Sequence, residues 1–271
     1  MIKNIFNWNL VVIYMILSCS NGSDSSESKK TPAQITLPAS TNTISDVYTI
    51  QKRVNEIAID GNLNDWQNIS EGRLINTAQQ VAIWGGRERS TPPDDYSTAD
   101  LSAVFWAQWD DQNIYIAIKV TDDNLIVPDH SPSTGNNWWL DDEVEISFDL
   151  GNNTNGTAHD NNDAIICFTY NKPNVYGSLD YSTFGELTAR FTGKHAHGII
   201  DEHNYVLEVK IPFTLIDENF VAQAGKQIKF DISPEDEDQV MGGRDGQMFW
   251  LCEDANAWTD ASQWGVLTFS E

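Results

Sequence analysis

From about Asp46 to the end of the chain, apolar and polar residues alternate with a period of two, the mark of strands that bury one face. The pattern is clearest in Ile114-Tyr115-Ile116-Ala117-Ile118-Lys119-Val120, where one parity is wholly aliphatic. It is unbroken in Glu143-Val144-Glu145-Ile146-Ser147-Phe148-Asp149. It recurs over Leu101–Trp109, 164–170, 187–192, 205–211, 227–232, 247–252 and 265–269, between clusters of Gly, Asn, Asp and Pro. No long segment carries the 3.6-residue period of an amphipathic helix, although 213–219, after Pro212, predicts one helical turn. Many short strands without alternating helices predict an all-β fold, an antiparallel β-sandwich of jelly-roll type. Two loops poor in apolar residues, 85–99 with Pro92-Pro93 and 151–163 with repeated Asn, Gly and Asp, are expected at an end of the sandwich, where binding surfaces are usual.

Ahead of the strands, Lys3 precedes an apolar run over 10–17 that stops at Ser18-Cys19. A bilayer span needs about 20 apolar residues, so this run reads as a signal peptide. Ile16-Leu17-Ser18-Cys19 resembles the lipobox of bacterial lipoproteins, which implies lipidation at Cys19. The polar stretch 20–28 has no periodic pattern and reads as a flexible tether. The expected organisation is therefore a lipoprotein signal peptide over 1–19, a tether over 20–45 and one sandwich domain over 46–271. The protein is expected to be exported and lipid-anchored, at the outer membrane or cell surface of a Gram-negative bacterium.

A formal charge of −24, from 16 basic and 40 acidic side chains, repels phosphate backbones and anionic headgroups alike. It argues against nucleic acid as a partner and leaves membrane contact to the lipid anchor. The acidity keeps an exported protein soluble and also suits calcium. Apart from Cys19, the cysteines are Cys167 and Cys252, which fit either one disulfide or two buried thiols.

Of ten tryptophans, Trp106, Trp109 and Trp250 fall within strand patterns and read as core, and Trp66 reads as a cap on the core. Trp138, Trp139 and Trp258 lie in Asn- and Asp-rich joining segments, where no ring is needed to fill a sheet. A sugar offers an apolar face for aromatic stacking and a rim of hydroxyls for carboxylates and amides. Trp139 stands just before Asp142 and Glu145, and Trp258 just after Asp254 and Asn256.

Four ordered segments resemble carbohydrate-binding module family 9 and its relatives among the DOMON-like sandwiches. They are Ile59-Asp60-Gly61-Asn62-Leu63-Asn64-Asp65-Trp66; Trp109-Asp110-Asp111-Gln112-Asn113-Ile114-Tyr115-Ile116 with Val120-Thr121-Asp122-Asp123; Trp139-Leu140-Asp141-Asp142-Glu143-Val144-Glu145-Ile146 with Phe148-Asp149; and Trp258 followed by Trp264-Gly265-Val266-Leu267. The resemblance implies a β-sandwich in which Trp139 and Trp258 clamp a sugar and Glu145 takes hydroxyl hydrogens; the residues around them add Asp142 and Asn256 as expected rim partners and Trp138 or Trp84 as expected further platforms. Members with known ligands carry an arginine and an amide on the strand occupied here by 164–170, where this chain has Cys167 and Thr169. A further amide position is Ser233. The resemblance thus implies an oligo- or polysaccharide ligand, with xylan and cellulose disfavoured as its identity. It implies no required cofactor but structural calcium, for which Asp60, Asn62 and Asp65 have suitable spacing; turn chemistry is their competing role.

The expectation is non-catalytic sugar binding in support of glycoside hydrolases on other chains. A hydrolytic accessory domain is the enzymatic alternative, but 40 acidic residues make a carboxylate pair uninformative. No GxSxG, HExxH or GxxxxGK motif occurs. His195, His197 and His203 read as a solvated loop rather than as a metal set. A haem-binding or protein-interaction module of the DOMON type, with Met241 or Met248 as axial ligand, is the remaining alternative.

Overall fold

Strands form where the period of two predicts them, because each has one aliphatic face to bury. The computed structural model describes residues 40–41, 45–67, 69, 71–130, 137–153, 159–251 and 258–271. In chain order the strands are β1 (Ser40–Thr41), β2 (Val47–Lys52), β3 (Gly72–Ile75), β4 (Val81–Trp84), β5 (Arg87–Glu88), β6 (Leu101–Trp109), β7 (Asn113–Asp122), β8 (Glu143–Asp149), β9 (Asp163–Thr169), β10 (Val175–Ser178), β11 (Gly185–Glu186), β12 (His195–Asp201), β13 (Asn204–Pro212), β14 (Gln227–Asp236), β15 (Gly246–Met248) and β16 (Gly265–Ser270). All lie in the unit Ile35–Glu271. Cys19, Cys252, Asp254 and Asn256 lie outside the described residues.

The sheet curls into two leaves, β11-β10-β9-β8-β14-β16 and β6-β7-β13-β12, joined through β2. β2 runs parallel to β16 over Val47 to Gln51, then parallel to β6 at Gln51 and Lys52. One strand therefore begins on one leaf and ends on the other. Along β8 and β14, Val144, Ile146, Phe148, Ile228, Phe230 and Ile232 point into the shared core. Phe230 meets Phe105 from the opposite leaf at 5.7 Å, and Trp109 stacks on Phe269 at 5.0 Å. Trp66, Trp106, Trp109 and Trp250 are all buried.

Two segments differ from the sequence pattern. Residues 188–191 form a single helical turn rather than a strand, because Leu187 and Phe191 are four apart and pack inward together. His195 and His197 lie on β12, half-buried, rather than in a solvated loop. Burial lowers the pKa of both, that of His197 to about 4.

The outer face of β8, β9 and β14 is also covered, which accounts for burial on both sides of β8 and β9. The cover is a second apolar cluster containing Trp138, Ile165, Cys167, Tyr176, Phe249 and Trp264. The outer parity here is polar. Glu145 lies opposite both Cys167 and Ser233, and Glu143 opposite both Thr169 and Glu235. Glu235 in turn pairs with Gln247 on β15.

Candidate aromatic cavity

A cavity of about 470 Å³ opens on this outer face, within the range of small-ligand sites. Its walls include Trp138, Trp139, Phe184 and Trp258, and its polar lining is Glu145, Arg244 and Gln247. Trp139 is 40% exposed and Trp258 48%, while Trp138 is 5% exposed and lies parallel to Tyr176 at 5.5 Å. Trp138 thus acts as the backing for Trp139, which meets it edge-on at 5.3 Å. Phe184 braces Trp258 edge-on at 6.5 Å.

A short helical turn, Trp138–Leu140, presents the tryptophan pair just before β8. Glu145 follows on β8 at outward parity. Arg244 and Gln247 come from the return that leads into and along β15. Arg244 Nη1 donates to Glu235 Oε2 at 2.6 Å, and Gln247 Nε2 donates to Glu235 Oε1 at 2.7 Å. Glu235 therefore orients the two groups that line the cavity. Arg244 Nε, Gln247 Oε1, Ser233 Oγ and both oxygens of Glu143 have no hydrogen-bond partner among the described residues.

Burial pushes the pKa of Glu145 up to about 8, and the neighbouring charge of Glu235 pushes it the same way. The pKa of Glu143 is raised well above its ordinary value, by burial first and then by Glu235 and Glu145. Near neutral pH the Glu145 carboxyl is thus chiefly protonated and able both to donate and to accept. Cys167 is a buried free thiol whose pKa is raised well above its ordinary value by burial, which removes thiolate chemistry from the floor.

Of the residues expected from sequence, Trp138, Trp139, Trp258 and Glu145 line this cavity. Asp142 does not. It is wholly buried and spends its oxygens on the backbone N–H groups of Ile126 and Glu237, at 2.6 and 2.7 Å. Trp84 does not either, because its ring belongs to the core and meets Tyr96 at 5.2 Å. Sequence reasoning missed Arg244 and Gln247. They bring an arginine and an amide to the lining from β15 and the return before it, which no local signal ties to β9. The loop 85–99 reaches their neighbourhood through Gly86, whose N–H donates to the Asp245 carbonyl, but contributes none of the lining.

Asp60, Asn62 and Asp65 share one turn. Asp60 Oδ1 accepts from Asn62 N at 2.9 Å, Asn62 Oδ1 from Asn64 N at 3.1 Å, and Asp65 Oδ2 from Ala58 N at 2.9 Å. Each therefore does the work of a turn or cap residue. Buried carboxylates converge elsewhere, at the ends of β7 and β14 and before β8.

Residues 78–271 match the family described as Carbohydrate family 9 binding domain-like. Among curated proteins, the chain is 29% identical over 160 residues to endo-1,4-beta-xylanase A of Thermoanaerobacterium saccharolyticum. That match covers 59% of the chain and 12% of the xylanase, so the chain spans a small part of that relative's length. Among solved structures, it resembles a carbohydrate binding module family 9 from Caldicellulosiruptor kristjanssonii, determined with glucose and with cellotriose. The glucose complex gives a TM-score of 0.57 at 17% identity, covering 82% of this chain and 96% of that one. The cellotriose complex gives 0.55 at 17% identity, covering 83% and 93%.

Proposed function

Since the chain belongs to the carbohydrate family 9 binding domain-like family, we propose that it is a non-catalytic saccharide-binding module holding a sugar between Trp139 and Trp258. The carrying observation is that two half-exposed indoles converge on one cavity whose polar floor keeps unpaired donors and acceptors. Indole faces stack on the axial C–H surface of a pyranose. Arg244 Nε and the protonated Glu145 then donate to ring hydroxyls, and Gln247 Oε1 accepts from them. A protonated Glu145 and a guanidinium already paired with Glu235 suit a neutral sugar, because no charge is left unpaired when the rim closes. Stacking and a few such bonds correspond to roughly micromolar to millimolar affinity.

Among the described residues lining the cavity, Glu145 is the one carboxyl group, whereas glycoside hydrolysis uses two. The module would capture oligo- or polysaccharide for hydrolases on other chains. Export and lipidation at Cys19 would keep it on the outer membrane or cell surface.

The test is a glycan array followed by calorimetry with the purified protein, beside a Trp139→Ala, Trp258→Ala variant. Binding to a saccharide that disappears in the still-folded variant supports the clamp. Folded wild-type protein that binds no glycan sinks the reading.

A further inference from the structure

A second cleft, of about 370 Å³, lies apart from the aromatic cavity, between the turn that joins β9 to β10 on one leaf and β12 on the other. Asn171 and Lys172 line it from that turn, Thr188 and Thr192 from the helical segment before β12, and His195 and His197 from β12 itself. None of the lining residues is acidic, in a chain with 40 acidic and 16 basic side chains. Among the described residues the ion pairs of lysine and arginine are those of Lys52, Arg53 and Arg244. Lys172 is therefore without a counter-charge there, as are Arg190 and Lys194 on the adjoining helical segment.

The two histidines face inward. His195 stands opposite Val209 and His197 opposite Leu207, both core residues, and partners across a ladder share a face. His195 is spent, because the carbonyls of Phe191, at 3.3 Å from Nδ1, and of Lys172 both hold its ring. His197 is not: its Nε2 is buried and has no hydrogen-bond partner among the described residues. Thr188 Oγ1 accepts from Val175 N at 3.1 Å, so its own proton is left to give. An unpaired ammonium, a hydroxyl donor and an unspent imidazole, with no carboxylate beside them, form the donor set of an anion site. One fixed positive charge and one that a proton can add match a single negative charge.

We propose that this cleft binds a small carboxylate anion, with Lys172, Thr188 and His197 as the groups that meet it. The proposal does not depend on the aromatic cavity. Without a counter-charge the His197 imidazole stays neutral, because burial, and then the charge of His195, lower its pKa to about 4. The other titratable groups around it do not supply one. Tyr205 on β13 lies at 6.3 Å with its phenol pushed further toward the neutral form by burial, and Lys172 is cationic. Glu208, opposite Ala196 on the outer parity of β13, is spent on Trp66 and the 60–62 turn, and Asp60 on that turn accepts from Asn62 N. A bound carboxylate supplies the counter-charge, so binding takes up a proton and tightens as pH falls.

The test uses the full chain carrying Trp139→Ala and Trp258→Ala, so that the aromatic cavity does not report. Sodium glucuronate, sodium acetate and glucose are titrated into it at fixed ionic strength, at about pH 5.5 and about pH 7.5, following heat and the imidazole C–H resonances. Both carboxylates are expected to bind and glucose is not, with glucuronate affinity about tenfold higher at the lower pH as His197 takes its proton. Adding His197→Gln is expected to abolish that pH dependence. Lys172→Gln, on a surface turn and usable should the first variant fail to fold, is expected to weaken binding about fivefold at both pH values. Glucuronate binding tighter than acetate supports an acidic sugar as the source of the carboxylate, and equal affinity supports a free organic acid. No carboxylate binding, equal binding of glucose, or affinities unchanged in both folded variants overturns the anion site. A carboxylate affinity that ignores pH overturns the role given to His197. Each of these outcomes leaves the saccharide reading, which stands on Trp139 and Trp258, as it was.

Discussion

Glu208 and Glu145 are both buried glutamates on the outer faces of the two leaves, yet the protein treats them in opposite ways. Glu208 Oε1 accepts from Trp66 Nε1 at 2.7 Å, and its Oε2 accepts from the backbone N–H groups of Asp60, Gly61 and Asn62 at 2.6 to 3.0 Å. Among the described residues, Glu145 has only a 3.4 Å contact from Ser147 Oγ and a 3.9 Å contact from Cys167 Sγ. Burial raises the pKa of both. A perturbed carboxyl therefore marks a ligand site only when its hydrogen-bonding capacity is unspent; when four donors meet it, the same chemistry is a staple.

The sharpest way to break the comparison is Glu208→Ala, which strands an indole N–H and three backbone N–H groups beneath the 59–66 turn. A loss of about 3 kcal/mol in urea unfolding is expected, with saccharide affinity unchanged in the folded fraction. Next is Gly61→Ala. Gly61 has φ +79°, and a Cβ there would stand 2.5 Å from the His197 carbonyl oxygen. Close docking of the turn on β12 therefore requires glycine, and about 2 kcal/mol is expected to be lost in the same assay. Glu145→Gln reverses the pattern. Stability at pH 7 is expected not to fall, because the amide replaces a carboxyl that must take up a proton to fold, while saccharide binding weakens about tenfold by calorimetry.

The same contrast can be sharpened through the pH dependence. The folded protein holds the Glu145 proton up to about pH 8, whereas the unfolded chain releases it near the ordinary 4.5. Its stabilising effect is present below that lower value and falls away as pH rises through 8. Glu145→Gln is expected to flatten the fall in stability between about pH 4.5 and pH 8. His197 works on the acid side. Its folded pKa is lowered to about 4 from 6.5, so stability is lost as pH falls between those values. His197→Gln is expected to flatten that limb.

Most strands were legible in the sequence because alternation is a local property, which solvent on one side and core on the other impose residue by residue. Trp139 and Trp258 stood out because they fall where no sheet needs a ring. Glu145 was reached through the resemblance and sits at outward parity on an unbroken strand. Asp142 and Trp84 looked equally eligible, and only packing turned the first toward backbone N–H groups and the second into the core. Arg244 and Gln247 had no signal of their own. Their position depends on β15 pairing with the end of β14, and on β14 lying beside β8, residues nearly a hundred apart in the chain. Period and parity determined which side chains face out. Which outward groups share one cavity, and which keep an oxygen to spare, was decided by long-range register, because hydrogen-bond satisfaction belongs to neighbours in space.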